Sequence, residues 1–261
     1  MNFVSYPQLE RDVAAWAKTL PRYTVVAGIE ASGMLPARIL ARCWRKKAVS
    51  FSEVAGGTGE GVLVVDDSIN FGGAVNRARS QARGSGFRFA AVYAANAAIA
   101  RQVDHHCRIV PQPRFFEWNL LKHDLLAEAC FDLDGVLCVD CPPEVNDDGP
   151  AYADFILNVA PRLIPSERLA AIVTGRLEKY RRPTAEWLAR HGVRYGSLVM
   201  MPFERPEQRR AYGIARFKAE AYKAGPFRLF VESDGPQGAR IAEATGRPVL
   251  VVPETDEWRL L

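Results

Sequence analysis

Phe131-Asp132-Leu133-Asp134-Gly135-Val136-Leu137-Cys138-Val139-Asp140 is the stretch on which the reading of this chain turns. It follows a mostly apolar run at residues 127–131, broken by Glu128, and sets two carboxylates two positions apart ahead of a glycine. Alternate residues of a strand share a face, so Asp132 and Asp134 are expected to converge on one site at a strand end. Gly135, with no Cβ to resist unusual backbone angles, lets the chain turn immediately beyond them.

Further along, residues 169–173, 197–201, 227–231 and 248–252 read as strands with amphipathic stretches between them. Alternation of this kind predicts a parallel sheet covered by helices, with ligands at the carboxyl ends of the strands. Polar residues stand near those ends. Val173-Thr174-Gly175-Arg176 is read as leaving a strand and opening a helix, Lys218 sits on a helical stretch, and Glu232-Ser233-Asp234 follows the apolar Leu229-Phe230-Val231.

The stretch Asp132-Leu133-Asp134-Gly135-Val136-Leu137 resembles the first motif of haloacid-dehalogenase-type (HAD) phosphatases, Asp-x-Asp-Gly-x-Leu, and the three later segments follow in that family's order. The resemblance implies that Asp132 is a nucleophile and Asp134 a general acid and base. It also implies that Thr174, Gly175 and Arg176 hold the phosphate and that Lys218, with Lys179 as the fallback, neutralises charge. A Mg2+ ion would sit among Asp132, the backbone carbonyl of Asp134 and either Glu232 or Asp234. The last segment departs from the family's usual Gly-Asp or Asp-Asp, which leaves the choice between those two acids open. No insertion long enough for a separate cap domain follows Asp140 or Thr174, so the site is expected to be open or covered by the first domain.

In the first half, Leu9, Val13, Trp16 and Leu20 recur at helical spacing, and residues 23–29 read as a buried strand. A small-residue loop, Glu30-Ala31-Ser32-Gly33, leads into a second helix, an arrangement that can face phosphate because a helix N-terminus offers unpaired N–H groups. Residues 48–54 read as a strand and 56–61 as a flexible turn. Val62-Leu63-Val64-Val65-Asp66-Asp67 is read as a four-residue strand ending in adjacent carboxylates. These repel unless hydroxyls, a cation or N–H groups satisfy them, and turn or N-cap chemistry is the plainer alternative. Ser68, Asn70, Phe71, Gly72, Gly73 and Ala74 then carry the chain into a helix.

This second pattern resembles the phosphoribosyl pyrophosphate (PRPP) motif of type I phosphoribosyltransferases. The resemblance makes Asp66 and Asp67 ligands of the ribose hydroxyls, residues 68–74 the 5'-phosphate loop, and Glu30, Ala31, Ser32 and Gly33 the pyrophosphate loop. It puts Trp118 or Phe116 where a base would be recognised, with packing between domains as the alternative. Departures are the missing hydroxyls at Asn70, Phe71 and Ala74, the missing basic residue at Ala31 or Ser32, and a covering loop cut down to about residues 52–61.

With 261 residues, 48% hydrophobic and 25% charged, the chain has the proportions of a soluble globular protein with room for two domains. A formal charge of +4, with scattered basic residues, suits small anions and gives no argument for nucleic acid. No long apolar run suggests a membrane span, and a cytoplasmic location is expected. Five cysteines, Cys138 and Cys141 among them at Cys-x-x-Cys spacing, are expected as free thiols. The fold expected is α/β, with a phosphoribosyltransferase-like domain over 1–124 and a HAD-like domain over 125–261. The expected function is bifunctional: transfer of phosphoribosyl from PRPP to a base, then hydrolysis of the product phosphomonoester. The alternative keeps only the phosphatase active, the first domain merely binding a phosphoribosyl ligand. The oligomeric state is left open, a dimer included.

Overall fold

Two parallel sheets, one in each half of the chain, organise the structure, a computed structural model that describes residues 1–146 and 149–261. The chain divides into the units Met1–Arg114 and Phe115–Leu261.

The first unit runs β1 (Asn2–Val4), α1 (Tyr6–Trp16), β2 (Val25–Gly28), α2 (Met34–Trp44), β3 (Ala48–Ser50), α3 (Phe51–Val54), β4 (Val62–Ile69), α4 (Gly73–Gln81), β5 (Arg88–Ala94), α5 (Ala97–Ala100) and β6 (His105–Ile109), with β7 (Arg114–Phe116) at the division. Its five-stranded sheet has the order β3-β2-β4-β5-β6 and is parallel throughout. Helix α1 begins where the Ser5 hydroxyl accepts from the Gln8 N–H, and it buries Leu9, Val13 and Trp16. Strand β3 is shorter than expected because Ser50 and Glu53 cap each other's backbone and start α3 at Phe51. Strand β4 is longer, running through Asp66, Asp67 and Ser68 to Ile69. Pairing with β5 carries it on, Asp66 opposite Ala91 and Ser68 opposite Tyr93, so the acids lie inside the strand and not beyond it.

The second unit begins with 3-10 turns at Glu117–Lys122 and Asp124–Glu128 and continues as β8 (Ala129–Phe131), α6 (Pro150–Asn158), β9 (Leu169–Leu177), α7 (Arg181–Arg190), β10 (Tyr195–Met201), α8 (Pro206–Tyr212), α9 (Ile214–Ala224), β11 (Leu229–Glu232), α10 (Gly235–Thr245), β12 (Val249–Val251) and β13 (Arg259–Leu260). Its order is β10-β9-β8-β11-β12-β13, parallel except for β13. The division falls ahead of the boundary expected after residue 124. Residues 117–128 are tied into this unit, as the Ser166 N–H donating to the Leu121 carbonyl at 2.8 Å illustrates. Apolar side chains including Tyr222, Phe230, Ile241 and Val249 form its core.

Strand β9 carries a bulge. Val173 pairs with Val199 and Leu177 with Met201, so Thr174, Gly175 and Arg176 stand against Met200 alone. Thr174 and its neighbours were expected beyond the strand at a helix start, but β9 continues to Leu177 and a 3-10 turn separates it from α7. In each sheet the strand order reverses once, between β2 and β4 and between β8 and β11. Crevices at such switch points, outside the carboxyl strand ends, suit ligands. Among the described residues no helix is long and apolar enough to cross a membrane, and all five cysteines are free.

Candidate functional site

In the second unit, Asp132 follows β8 directly, its N–H donating to the Val231 carbonyl of β11 at 2.9 Å. Lys218 reaches in from α9. Its Nζ donates to Asp132 Oδ2 at 2.8 Å and to Glu232 Oε2 at 2.7 Å, and all three side chains are buried. Glu232 Oε1 accepts from the N–H groups of Ser233 and Asp234. Burial pushes the Lys218 ammonium down, but the two carboxylates outweigh it and hold the lysine above its ordinary value. Burial pushes Asp132 upward, and the Lys218 charge opposes it.

Asp134 is held by Arg176, whose Nε donates to Oδ2 at 3.0 Å and whose Nη2 donates to Oδ1 at 2.6 Å. Arg176 Nη1 donates to the Thr184 hydroxyl at 3.2 Å. Burial alone would raise the Asp134 pKa, yet the guanidinium prevails and keeps it below the ordinary carboxylate value. Gly135 adopts φ +75°, and a Cβ there would lie 2.3 Å from Ser233 Oγ, so the turn beyond the acids needs glycine on both counts. The same Ser233 hydroxyl donates to the Asp134 carbonyl at 3.3 Å.

Asp132, Asp134, Arg176, Lys218, Glu232 and Ser233 line a cavity of about 240 Å³. Asp132, Asp134, Asp140, Glu232 and Asp234 face Arg176, Arg209 and Lys218 there, an excess of carboxylates in a small space. Among the described residues no three His, Cys, Asp or Glu side chains form a metal cage. A set of two carboxylates and the Asp134 carbonyl nevertheless has the donor chemistry that a hard cation takes. Glu232 has both oxygens engaged, Oε2 by Lys218 and Oε1 by backbone N–H groups, whereas Asp234 caps α10 through Oδ1, which accepts the Gln237 N–H at 2.7 Å. Gly175 and Arg176 line the cavity and Thr174 does not; its fully buried hydroxyl accepts the Arg176 N–H at 3.2 Å. Lys179 lies over the Tyr180 ring and not in the cavity. The unit covers part of the site itself, through Tyr152 of α6 and Arg209 of α8.

In the first unit, the buried pair Asp66 and Asp67 lies in the second half of β4. Burial, and next the charge of Asp67, push Asp66 up to about 8. Ser32 donates to Asp67 Oδ1 at 2.9 Å, joining the 30–33 loop to the acid pair. Glu30 accepts from the hydroxyls of Ser50 and Ser52, which lower its pKa, and the Glu30–Ala31 peptide is cis. Gly72, at φ +83°, caps α4. Two cavities, about 180 and 290 Å³, share Ala74 and Arg77; Glu30 and Ser52 line one, and Asp66, Ser68, Asn70, Gly72 and Gly73 line the other. Phe71 also lines the second but is 88% exposed. Asp67, Ala31, Ser32 and Gly33 line neither.

Two arginines here escape a reading of the sequence. Arg77 stands one helical turn after Gly73, with Nη1 3.5 Å from where a Cβ on that glycine would sit, so a cation covers the start of α4. The signal is the i, i+4 spacing. Arg114, buried, donates to the carbonyls of Ile69, Tyr93 and Val110 and to Asn70 Oδ1 at 2.7 Å, fixing the loop after β4. Trp118 belongs to the second unit and stacks on Phe116 with ring centroids 4.9 Å apart. His105 is bound to the Tyr23 hydroxyl at 2.7 Å.

No protein-family model matches the chain, and no curated protein matches it. Among solved structures, a Helicobacter pylori xanthine-guanine-hypoxanthine phosphoribosyltransferase is similar over 46% of this chain and 93% of its own, at 15% identity and a TM-score of 0.39. A purine phosphoribosyltransferase from Pyrococcus horikoshii Ot3 is similar over 45% of this chain and 94% of its own, at 18% identity and a TM-score of 0.38. A chain from a Pnkp1/Rnl/Hen1 complex is similar over 97% of this chain and 96% of its own, at 13% identity and a TM-score of 0.34. Likenesses at this level assign no family, and the α/β class with mostly parallel, helix-flanked sheets rests on the chain's own strands and helices.

Proposed function

We propose that the second unit is a magnesium-dependent phosphatase of HAD type and that the first is a phosphoribosyltransferase acting on PRPP and a base. The observation that carries the reading is Lys218 bridging Asp132 and Glu232 at the adjoining ends of β8 and β11. A buried carboxylate beside a fixed ammonium is a nucleophile placed where phosphate charge can be balanced.

Asp132 attacks phosphorus and forms an aspartyl-phosphate, and Lys218 balances charge on nucleophile and phosphate. Asp134 gives a proton to the leaving oxygen and then takes one from the water that hydrolyses the aspartyl-phosphate. Its pairing with Arg176 favours the ionised form, the one that activates water. Magnesium, held by Asp132, the Asp134 carbonyl and Asp234, would supply the neutralisation that lets a carboxylate approach a phosphate.

In the first unit, Asp66 takes the ribose hydroxyls and Asp67, held by Ser32, supports it. The N–H groups at the start of α4, together with Arg77, take the 5'-phosphate. The nucleotide made there is a phosphomonoester, the substrate class of the second unit. The test is incubation with PRPP, Mg2+ and a panel of bases, measuring pyrophosphate and nucleoside, then repetition with Asp132→Asn. Pyrophosphate release with nucleotide accumulating in the variant supports both activities. No pyrophosphate with any base, alongside magnesium-dependent hydrolysis of an aryl phosphate, favours the second reading, a phosphatase with a ligand-binding first unit, for which exposed Phe71 in place of a hydroxyl speaks.

A further inference from the structure

A cavity of about 640 Å³ lies beside the acidic pocket and shares Ile214 and Gln237 with it. It runs between α9 and α10. Arg216, Glu220 and Lys223 on one helix, and Gln237, Arg240 and Ala244 on the other, recur at spacings that put each set on one helix face. Alanines 215, 219 and 244 give it apolar walls.

Its charge is opposite to that of the pocket. Arg210, Arg216, Lys223 and Arg240 line it against a lone carboxylate, Glu220. Arg216 pairs with Glu220 at 2.9 Å and Arg210 with Glu207 at 3.0 Å, exposed pairs that hold their partners weakly. Among the described residues, exposed Lys223 and Arg240 have no ion-pair partner. Ile214 and Gln237 line both cavities, so a phosphomonoester with its phosphate at Asp132 and Lys218 can pass its leaving group across them into the groove. An electrically neutral leaving group would gain nothing from the four cations next door. A phosphate would gain charge-assisted hydrogen bonds, bidentate ones from arginine.

Resting on the phosphatase reading, we propose that the α9–α10 groove binds the leaving group of the phosphomonoester and that this leaving group carries at least one further phosphate. The substrate class is then a nucleotide with a second phosphate or a terminally phosphorylated oligonucleotide, and the nucleoside monophosphate made by the first unit is its poorer substrate. The oligonucleotide would set aside the expectation that nucleic acid is no partner.

The test compares kcat/KM of the full chain on an aryl phosphate, a nucleoside 5'-monophosphate, a nucleoside 3',5'-bisphosphate and a tetranucleotide phosphorylated at either end. It then repeats the set with the double variant Lys223→Glu, Arg240→Glu. The bisphosphate or the tetranucleotide should exceed the monophosphate by about tenfold or more, the scale of one charge-assisted contact. The double variant should erase that advantage while aryl phosphate hydrolysis stays unchanged, which also shows that the variant folds. Whichever of the two exceeds the other identifies the source. Equal kcat/KM for mono- and multiply phosphorylated substrates, or a preference that survives the double variant, overturns the proposal alone. No hydrolysis of any ester, the aryl phosphate included, overturns the phosphatase reading and the groove proposal with it.

Discussion

Arg176 holds Asp134 through two nitrogens to two oxygens, with the guanidinium sealed from solvent and the carboxylate at the pocket wall. Arg176, the residue that the sequence suggested as a phosphate ligand, thus also orients Asp134 while lining the pocket. It fixes the rotamer of Asp134, as Lys218 fixes that of Asp132. Breaking it by Arg176→Ala leaves a carboxylate without its counter-charge and should cost about 3 kcal/mol. Urea unfolding checks this. The double variant Arg176→Ala, Asp134→Ala should recover part of the loss, and equal costs for single and double variants would mean that packing, not charge, is what Arg176 supplies.

Lys218 is the counter-charge for two buried acids, so Lys218→Met should abolish phosphatase activity and lower stability by about 3 kcal/mol or more. Magnesium should raise the Tm of the native protein, by about 2.7 kcal/mol of stability at a hundred times its Kd. EDTA should reverse the shift. Asp132→Asn should abolish it, and a shift that persists in that variant would place the ion elsewhere.

Asp66 titrates far above an ordinary aspartate because it is buried and next to Asp67. Its folded form binds the proton more tightly than its unfolded form, so the stability tied to it is whole below the ordinary value of 3.8 and is lost as pH rises to about 8. Asp66→Asn keeps the oxygen that accepts the Asp67 N–H and removes the titration. The variant should match the native protein near pH 4 and exceed it by between about 2 and 5 kcal/mol at pH 8, by denaturation across pH. It should lose PRPP binding by calorimetry.

Arg77 is the cation common to both cavities of the first unit. Arg77→Ala should weaken PRPP binding about tenfold and leave hydrolysis of an aryl phosphate unchanged. Unaltered PRPP affinity would remove Arg77 from the site.

Much of this was legible in the sequence because it follows from apolar runs and what ends them. Asp132, Lys218 and Glu232 were readable singly, each by its position near a strand end or on a helix, and the order of segments suggested that they meet. Pairings across long separations were not legible. Nothing local ties Arg176 to Asp134, or Arg114 to the Asn70 side chain. Polarity is the usual end of a strand, so the sequence ends β4 at its first charge, whereas pairing with β5 carries Asp66 and Asp67 on inside it. The start of α3 is legible in Ser50-Phe51-Ser52-Glu53, where a capping box competes with the β-prone run before it. The α9–α10 groove had no sequence signature, since its cations come from α8, α9 and α10.

The bulge in β9 separates the arm from the ladder. Val173 opposite Val199 and Leu177 opposite Met201 hold the strand on either side, and the three residues between them stand outside regular pairing. Arg176 therefore reaches Asp134 from a short excursion anchored at both ends, so its side chain can be exchanged without taking a ladder pair from the sheet.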